Sequence, residues 1–185
     1  MSPTSDRSGG VADDDRPIEP RPSAMAREAF VARFGAIYEH SPWIAEAVWG
    51  ASGPGPECDT VAGLAEAMAN ALAAAPRDAK LALVRAHPDL AGKAAVAGEL
   101  TADSASEQAG AGLDRCSPQE FARFQEINAA YKARFGFPFI IAVRGLGRAE
   151  ILAAFERRLG NDAEAEFATA LGEIDRIALL RLASG

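Results

Sequence analysis

His40 and His87 are the only two histidines in this chain of 185 residues. His87 precedes Pro88, and a proline disfavours helical geometry at the residue before it, so we expect the His87 ring to emerge from a helix end on a stiffened backbone. An imidazole titrates near ~6.5, which makes it the natural proton-transfer group at neutral pH. His87 is therefore a candidate general acid or base, although these residues also fit a histidine that only ends a helix. His40 lies beside a predicted helix start, and we interpret it as structural.

Residues 104–108, Ser-Ala-Ser-Glu-Gln, form a second candidate segment. The spacing of Ser104 and Glu107 is that of a capping box, which would place Ser104 at a helix N-cap. Gly110 and Gly112 weaken the helix that follows, since each glycine costs about 1 kcal/mol relative to alanine. A weak helix that opens on hydrogen-bonding side chains could also present backbone N–H groups to an anion. The residues alone leave both interpretations open.

Residues 137–144 (FPFIIAVR) are the one strand-like run of the chain. A single extended segment has no obvious partner here, so we expect a buried connector and no sheet. Some of its N–H and C=O groups must then bond to side chains, water or a ligand. A polar ligand held by main-chain groups would satisfy them.

Several classes of function are disfavoured. The chain has no His-Glu-x-x-His, no Cys-x-x-Cys and no glycine-rich nucleotide loop, so we predict no metal and no nucleotide cofactor. A net charge of −7 disfavours nucleic-acid binding, and no apolar run approaches the ~18 residues of a membrane span. Cys58 and Cys116 are too few for a disulfide framework, and we read Cys116 as inert. A reducing compartment, the cytoplasm, fits this cysteine usage.

The elements that must position these residues are helical. Apolar residues at helical spacing, N-cap and N1 signals and closing glycines predict an all-α, single-domain bundle of about seven or eight helices with one buried extended connector. Ser117, Pro118 and Glu120 predict a capped helix that ends at Gly136, and Asn161 with Glu164 is expected to cap the last helix. Residues 1–22 are polar and rich in Pro, Gly and Asp, which predicts a disordered leader before a helical domain over 23–185.

Several segments, in order, resemble the 2-oxo-4-hydroxy-4-carboxy-5-ureidoimidazoline (OHCU) decarboxylases of purine catabolism. These segments are Tyr38 to Ile44, His87 to Lys93, Ser104 to Gln108 with Ala111 to Asp114, Tyr131 to Phe139, and Glu173 to Leu182. One such segment alone would be a weak signal. Their order and spacing over about residues 26–183 make the resemblance specific.

The resemblance implies an all-helical, cofactor-independent and typically homodimeric lyase that releases CO₂ from OHCU and yields S-allantoin during urate degradation. By analogy, His87 is the catalytic histidine and Glu107 its acidic partner. The residues implied to line the substrate pocket are Pro88, Ser104, Ala105, Ser106, Gln108, Phe139, Ile140, Ile141, Ala142 and Val143.

Two other functions stay open on the residues alone. The chain could be a non-catalytic helical interaction module, in which His87 and Glu107 only cap helices. It could also be a hydrolase that acts on a related ureide ring.

Overall fold

The computed structural model describes residues 15–92 and 98–185. These residues form eight α-helices and no named strand, which confirms the all-α prediction for this part of the chain. The helices are α1 (Arg27–Phe34), α2 (Trp43–Trp49), α3 (Val61–Ala74), α4 (Arg77–Ala86), α5 (Ala102–Gly110), α6 (Pro118–Phe135), α7 (Arg148–Arg158) and α8 (Ala163–Leu182). Short 3-10 helices cover Pro22–Ala24, Pro56–Asp59 and Leu113–Arg115. No helix within the described ranges is both long and apolar enough to span a membrane.

The chain divides into two compact units, and α8 contributes to both. The first unit contains residues 15–75 and 178–185. Helices α1, α2 and α3 bury an apolar core that includes Phe30, Ile44, Leu64 and Met68. In this unit Arg181 of α8 and Glu39 form a buried ion pair at 3.1 Å, and His40 is exposed with a φ of 48°.

The second unit, residues 76–177, holds α4 to α7 and most of α8. Its core is aromatic. The Tyr131 ring meets the rings of Phe139 and Phe155 edge-on at 5.3 and 5.5 Å between centroids, and Phe139 stacks on Phe155 at 3.8 Å. Every predicted site residue lies in this unit.

The caps follow the sequence signals in some places and not in others. Ser117, Pro118 and Glu120 form the predicted capping box, and Gly136 closes α6 with a φ of 76°. Ser104 is not an N-cap, as Thr101 holds that position and accepts a hydrogen bond from the Ser104 N–H at 3.3 Å. The last helix is capped by Asp162, whose Oδ1 accepts from the Ala165 N–H at 2.9 Å, and not by Asn161.

Only part of the predicted leader, 1–22, lies among the described residues. Residues 1–14 lie outside the described residues. Residues 15–22 are described, and they pair with the loop before α3: Pro17 bridges to Thr60, and the Ile18 N–H donates to the Asp59 carbonyl at 2.8 Å. The buried Ile18 side chain supplies the apolar contact that a composition-based reading of this segment overlooks. The domain boundary at residue 23 stays a prediction.

Candidate active site

His87 ends α4 as predicted, with extended backbone dihedrals (φ −72°, ψ 140°) immediately before Pro88. Its side chain is buried, with 8% of the residue exposed. The ring Nδ1 lies 2.9 Å from the Leu83 carbonyl oxygen, one turn back along the helix. Because a carbonyl can only accept, Nδ1 carries the proton in this bond, which leaves Nε2 as the basic nitrogen of the neutral ring. The ring is thus oriented and its tautomer set before any ligand arrives.

The turn after His87 is held by a side chain of α5. The Gln108 Oε1 accepts from the Ala91 N–H at 3.0 Å, and its Nε2 donates to the Asp89 carbonyl at 3.3 Å. Ala91 has a φ of 48°, a left-handed conformation that a residue with a Cβ rarely adopts. The two bonds from one buried amide help to stabilise that conformation.

Three residues on one face of α6 hold the same turn, and none of them was predicted from the sequence. The Gln125 amide donates to the Ala91 carbonyl at 2.9 Å, the Asn128 amide donates to the Leu90 carbonyl at 2.9 Å, and the Lys132 Nζ lies 2.6 Å from Asp89 Oδ2. Their spacing of i, i+3 and i+7 places them on one helix face. A polar row of this kind is also ordinary on the solvent face of an amphipathic helix, so the row alone does not identify these residues as contacts of the turn.

Helix α5 contains the predicted Ser104–Gln108 segment, with Ser104 as its third residue and not as its N-cap. Ser104 and Gln108 are buried and lie one turn apart, whereas Ala105 and Ser106 are exposed. The prediction that Ser104 is the helix N-cap is therefore wrong, because Thr101 occupies that position. Ser104, Glu107 and Gln108 are spaced i, i+3 and i+4, which places them on one face of the helix.

Residues 137–143 form the predicted buried connector between α6 and α7. Two of its main-chain groups bond to side chains: the Arg158 Nη1 donates to the Ile140 carbonyl at 2.7 Å, and the Ala142 N–H donates to Glu173 Oε2 at 2.8 Å. Part of the hydrogen-bonding requirement of this segment is thus met by α7 and α8, without a ligand.

A buried network of charged and polar side chains contacts the connector through Arg158. Glu166 is fully buried and accepts hydrogen bonds from Tyr131 Oη, from Arg158 Nε at 2.8 Å and Nη2 at 2.6 Å, and from Asn161 Nδ2 at 2.7 Å. The Arg158 guanidinium also lies over the Phe139 ring, 4.5 Å from its centroid. Burial, followed by the neighbouring Glu166, raises the pKa of Tyr131, so its phenol remains a donor across the whole neutral range.

Direct bonds join the turn after His87 to α6 and to α5, and join α4 to the residue that leads into the connector. Lys132 reaches Asp89, just after His87 and Pro88, and Arg85 of α4 donates from Nε to the carbonyl of Gly136, which leads into the connector, at 3.1 Å. Gln108 ties α5 to the same turn. The pairing of His87 with Glu107 stays a prediction.

Among residues 15–92 and 98–185, no three His, Cys, Asp or Glu side chains cluster in a way that could hold a metal ion.

A cavity of about 650 Å³ lies beside the turn, with Ala91, Ala105, Gln108, Cys116 and Phe121 in its wall. Burial and then the charge of Glu120 raise the pKa of the Cys116 thiol above its ordinary value. The thiol is thus mostly protonated at neutral pH, in agreement with its reading as inert.

Cysteine alkylation tests this environment. Both thiols have raised pKa values, chiefly through burial, and Cys58 is the more deeply buried. We expect iodoacetamide at pH 7.5 to modify Cys116 slowly and Cys58 more slowly still, and both to react faster in urea. Mass spectrometry of peptides over time measures each site. A Cys116 that reacts equally fast in the folded and unfolded protein would contradict the assigned burial.

Comparisons with known proteins identify relatives over most of the chain. A family model described as OHCU decarboxylase matches residues 23–183. A 2-oxo-4-hydroxy-4-carboxy-5-ureidoimidazoline decarboxylase of Haloferax volcanii is 45% identical over 84% of this chain and 88% of its own length. A mouse protein of the same name is 42% identical over 83% of this chain and 84% of its own.

Two crystal structures resemble the fold. One, titled as (S)-allantoin synthase, has a TM-score of 0.67 and 32% identity, and the match covers 87% of this chain and 51% of that one. The other, titled as OHCU decarboxylase in the presence of (S)-allantoin, has a TM-score of 0.58 and 25% identity over 77% of this chain and 89% of that one.

Proposed function

Because the chain belongs to the OHCU decarboxylase family, we propose that it removes CO₂ from OHCU and releases (S)-allantoin, as a step of urate degradation. The proposal rests on the family match, on the order of the site segments and on the geometry around His87. The relatives from Haloferax volcanii and mouse are both named as decarboxylases of this compound. The proposal further assigns the protein to the cytoplasm as a homodimer.

The reaction needs a place for one electron pair. When the bond between the ring carbon and the carboxylate breaks, that pair moves into the ring toward the imine-type nitrogen, which takes up a proton. The resulting enol then gains a proton at the neighbouring carbon, which bears the ureido group, and loses its hydroxyl proton. The ring itself delocalises the charge, so the proposal assigns no prosthetic group. What remains for the protein is to hold one conformer and to deliver protons to one face.

His87 is suited to that proton transfer, and its geometry is the observation that carries the mechanism. Its Nδ1–H is committed to the Leu83 carbonyl, so the basic Nε2 is the nitrogen that exchanges a proton with the substrate. Pro88 on one side and the helix end on the other restrict the backbone that carries the ring. In this proposal Nε2 accepts or donates one of the protons that are transferred during turnover.

The remaining predicted residues form the pocket in this proposal. Glu107, half-buried on α5, is the acidic partner of the imidazole, and Ser104 and Gln108 lie on the same face of that helix. Pro88, Ala105 and Ser106 complete the α4 and α5 side. The main chain of residues 139–143 supplies hydrogen-bonding groups from the connector.

Product analysis tests the proposal directly. With freshly generated OHCU, we expect the protein to accelerate CO₂ release and to give allantoin with a strong optical rotation of one sign, because the uncatalysed route has no reason to favour one hand. Release of ammonia, or ring opening without CO₂, would assign the protein instead to the hydrolases of related ureide rings. No acceleration by folded protein would support the non-catalytic interaction module.

A further inference from the structure

Side chains of other elements bond to most of the main-chain polar groups of residues 89–91, in the turn that follows His87. Four main-chain groups within residues 89–91 bond to amide side chains: the Asp89 carbonyl and Ala91 N–H to Gln108, the Leu90 carbonyl to Asn128, and the Ala91 carbonyl to Gln125. These bonds to side chains of other elements therefore help to determine the shape of the turn.

Asn128 differs from the other amides in one respect. It is buried, with 3% of the residue exposed, and its Oδ1 has no hydrogen-bond partner among the described residues. A buried acceptor without a partner costs free energy, and native proteins rarely keep one. A leucine of similar size would avoid that cost, so the stability of the fold does not by itself explain an asparagine at this position.

We propose that Asn128 is a positioning residue for the decarboxylation: its amide donates to the Leu90 carbonyl and so fixes the turn that carries His87 and Pro88. This inference rests on the proposed function. Oδ1 is fully buried and so cannot contact a substrate, and Asn128 acts through the main chain at Leu90, three residues beyond His87. A shift of about 1 Å in a proton-transfer group is enough to slow an enzyme substantially.

The variant Asn128→Leu separates positioning from stability. It removes the donor to Leu90 and also the unpaired Oδ1, so these two effects on the free energy of unfolding oppose each other. We expect a midpoint of urea unfolding close to that of the unmodified protein, kcat lower by about 10-fold, and KM changed less than twofold. Gln125→Met, which removes the bond to the more distant Ala91 carbonyl, should lower kcat in the same direction by a smaller factor.

A spectroscopic readout comes from the two histidines. In ¹H–¹⁵N spectra of the imidazole rings, Asn128→Leu should shift or broaden the His87 signals and leave those of the exposed His40 unchanged. If Asn128→Leu does not fold, Asn128→Ser, too short to reach the Leu90 carbonyl, serves in the same two measurements. An unchanged kcat, or a His87 signal identical to that of the unmodified protein, would overturn the positioning role. If the unmodified protein itself shows no decarboxylation, the proposed function fails, and the ring spectra still report whether Asn128 orients His87.

Discussion

His87→Asn should lower the turnover of OHCU by at least about 100-fold, the usual scale for loss of a general acid or base. Asparagine keeps a short amide donor that can serve the Leu83 carbonyl in place of Nδ1–H, but it has no basic nitrogen where Nε2 lies. The free energy of unfolding should therefore change by no more than about 1 kcal/mol, the typical net value of one hydrogen bond. The initial rate of CO₂ release and a urea unfolding curve measure the two effects separately.

The matched control is His40→Asn. This second histidine is exposed, lies in the other compact unit and has a φ of 48°, a conformation that asparagine adopts more readily than most residues. We expect this variant to keep nearly full activity. Near-wild-type turnover by folded His87→Asn would refute His87 as the proton-transfer group, whatever the control shows.

Glu166→Gln should destabilise the protein by about 3–5 kcal/mol, the range found when one partner of a buried ion pair is removed. Glu166 is fully buried and accepts two hydrogen bonds from Arg158, whose side chain is only 12% exposed. Glutamine has the same shape but no charge, so the guanidinium would remain buried without a counter-ion. Urea unfolding at pH 7 measures the loss.

Two residues earlier on the same helix, Glu164→Gln supplies the control. Glu164 forms an exposed pair with Arg77 at 2.5 Å, and exposed pairs contribute little because water screens them. We expect the unfolding midpoint of this variant to stay close to that of the unmodified protein. If both substitutions shift the midpoint equally, burial does not distinguish the two carboxylates, and the assigned network is incorrect.

Local signals in the sequence predicted the features that depend on neighbouring residues. Pro88 placed His87 at a helix end, and Ser117, Pro118 and Glu120 formed the expected capping box. One local pattern gave a wrong prediction. Ser104 and Glu107 have capping-box spacing, but Thr101, three residues earlier, is the N-cap. Two overlapping cap signals cannot be ranked without knowing where the preceding loop ends.

Features that depend on distant residues were not predictable in this way. Gln125 and Asn128 read as ordinary polar positions of an amphipathic helix until the structure places the Leu90 and Ala91 carbonyls against them. The same holds for Arg158, whose bond to Ile140 joins residues on separate elements. The sequence showed that the connector needs hydrogen-bond partners, and tertiary packing determined which ones it has.

The hydrogen bonds of the connector also determine which of its main-chain groups could contact a bound ring. In an extended chain, the main-chain groups of residues i and i+2 point the same way, and those of the residue between them point the opposite way. The Ile140 carbonyl accepts a hydrogen bond from Arg158, and the Ala142 N–H donates one to Glu173. Regular extension would turn the groups of Phe139 and Ile141 away from those two side chains. A heterocycle bound on that side, as proposed for this segment, would meet N–H donors and C=O acceptors in a set order, which favours one orientation of a molecule whose two faces differ.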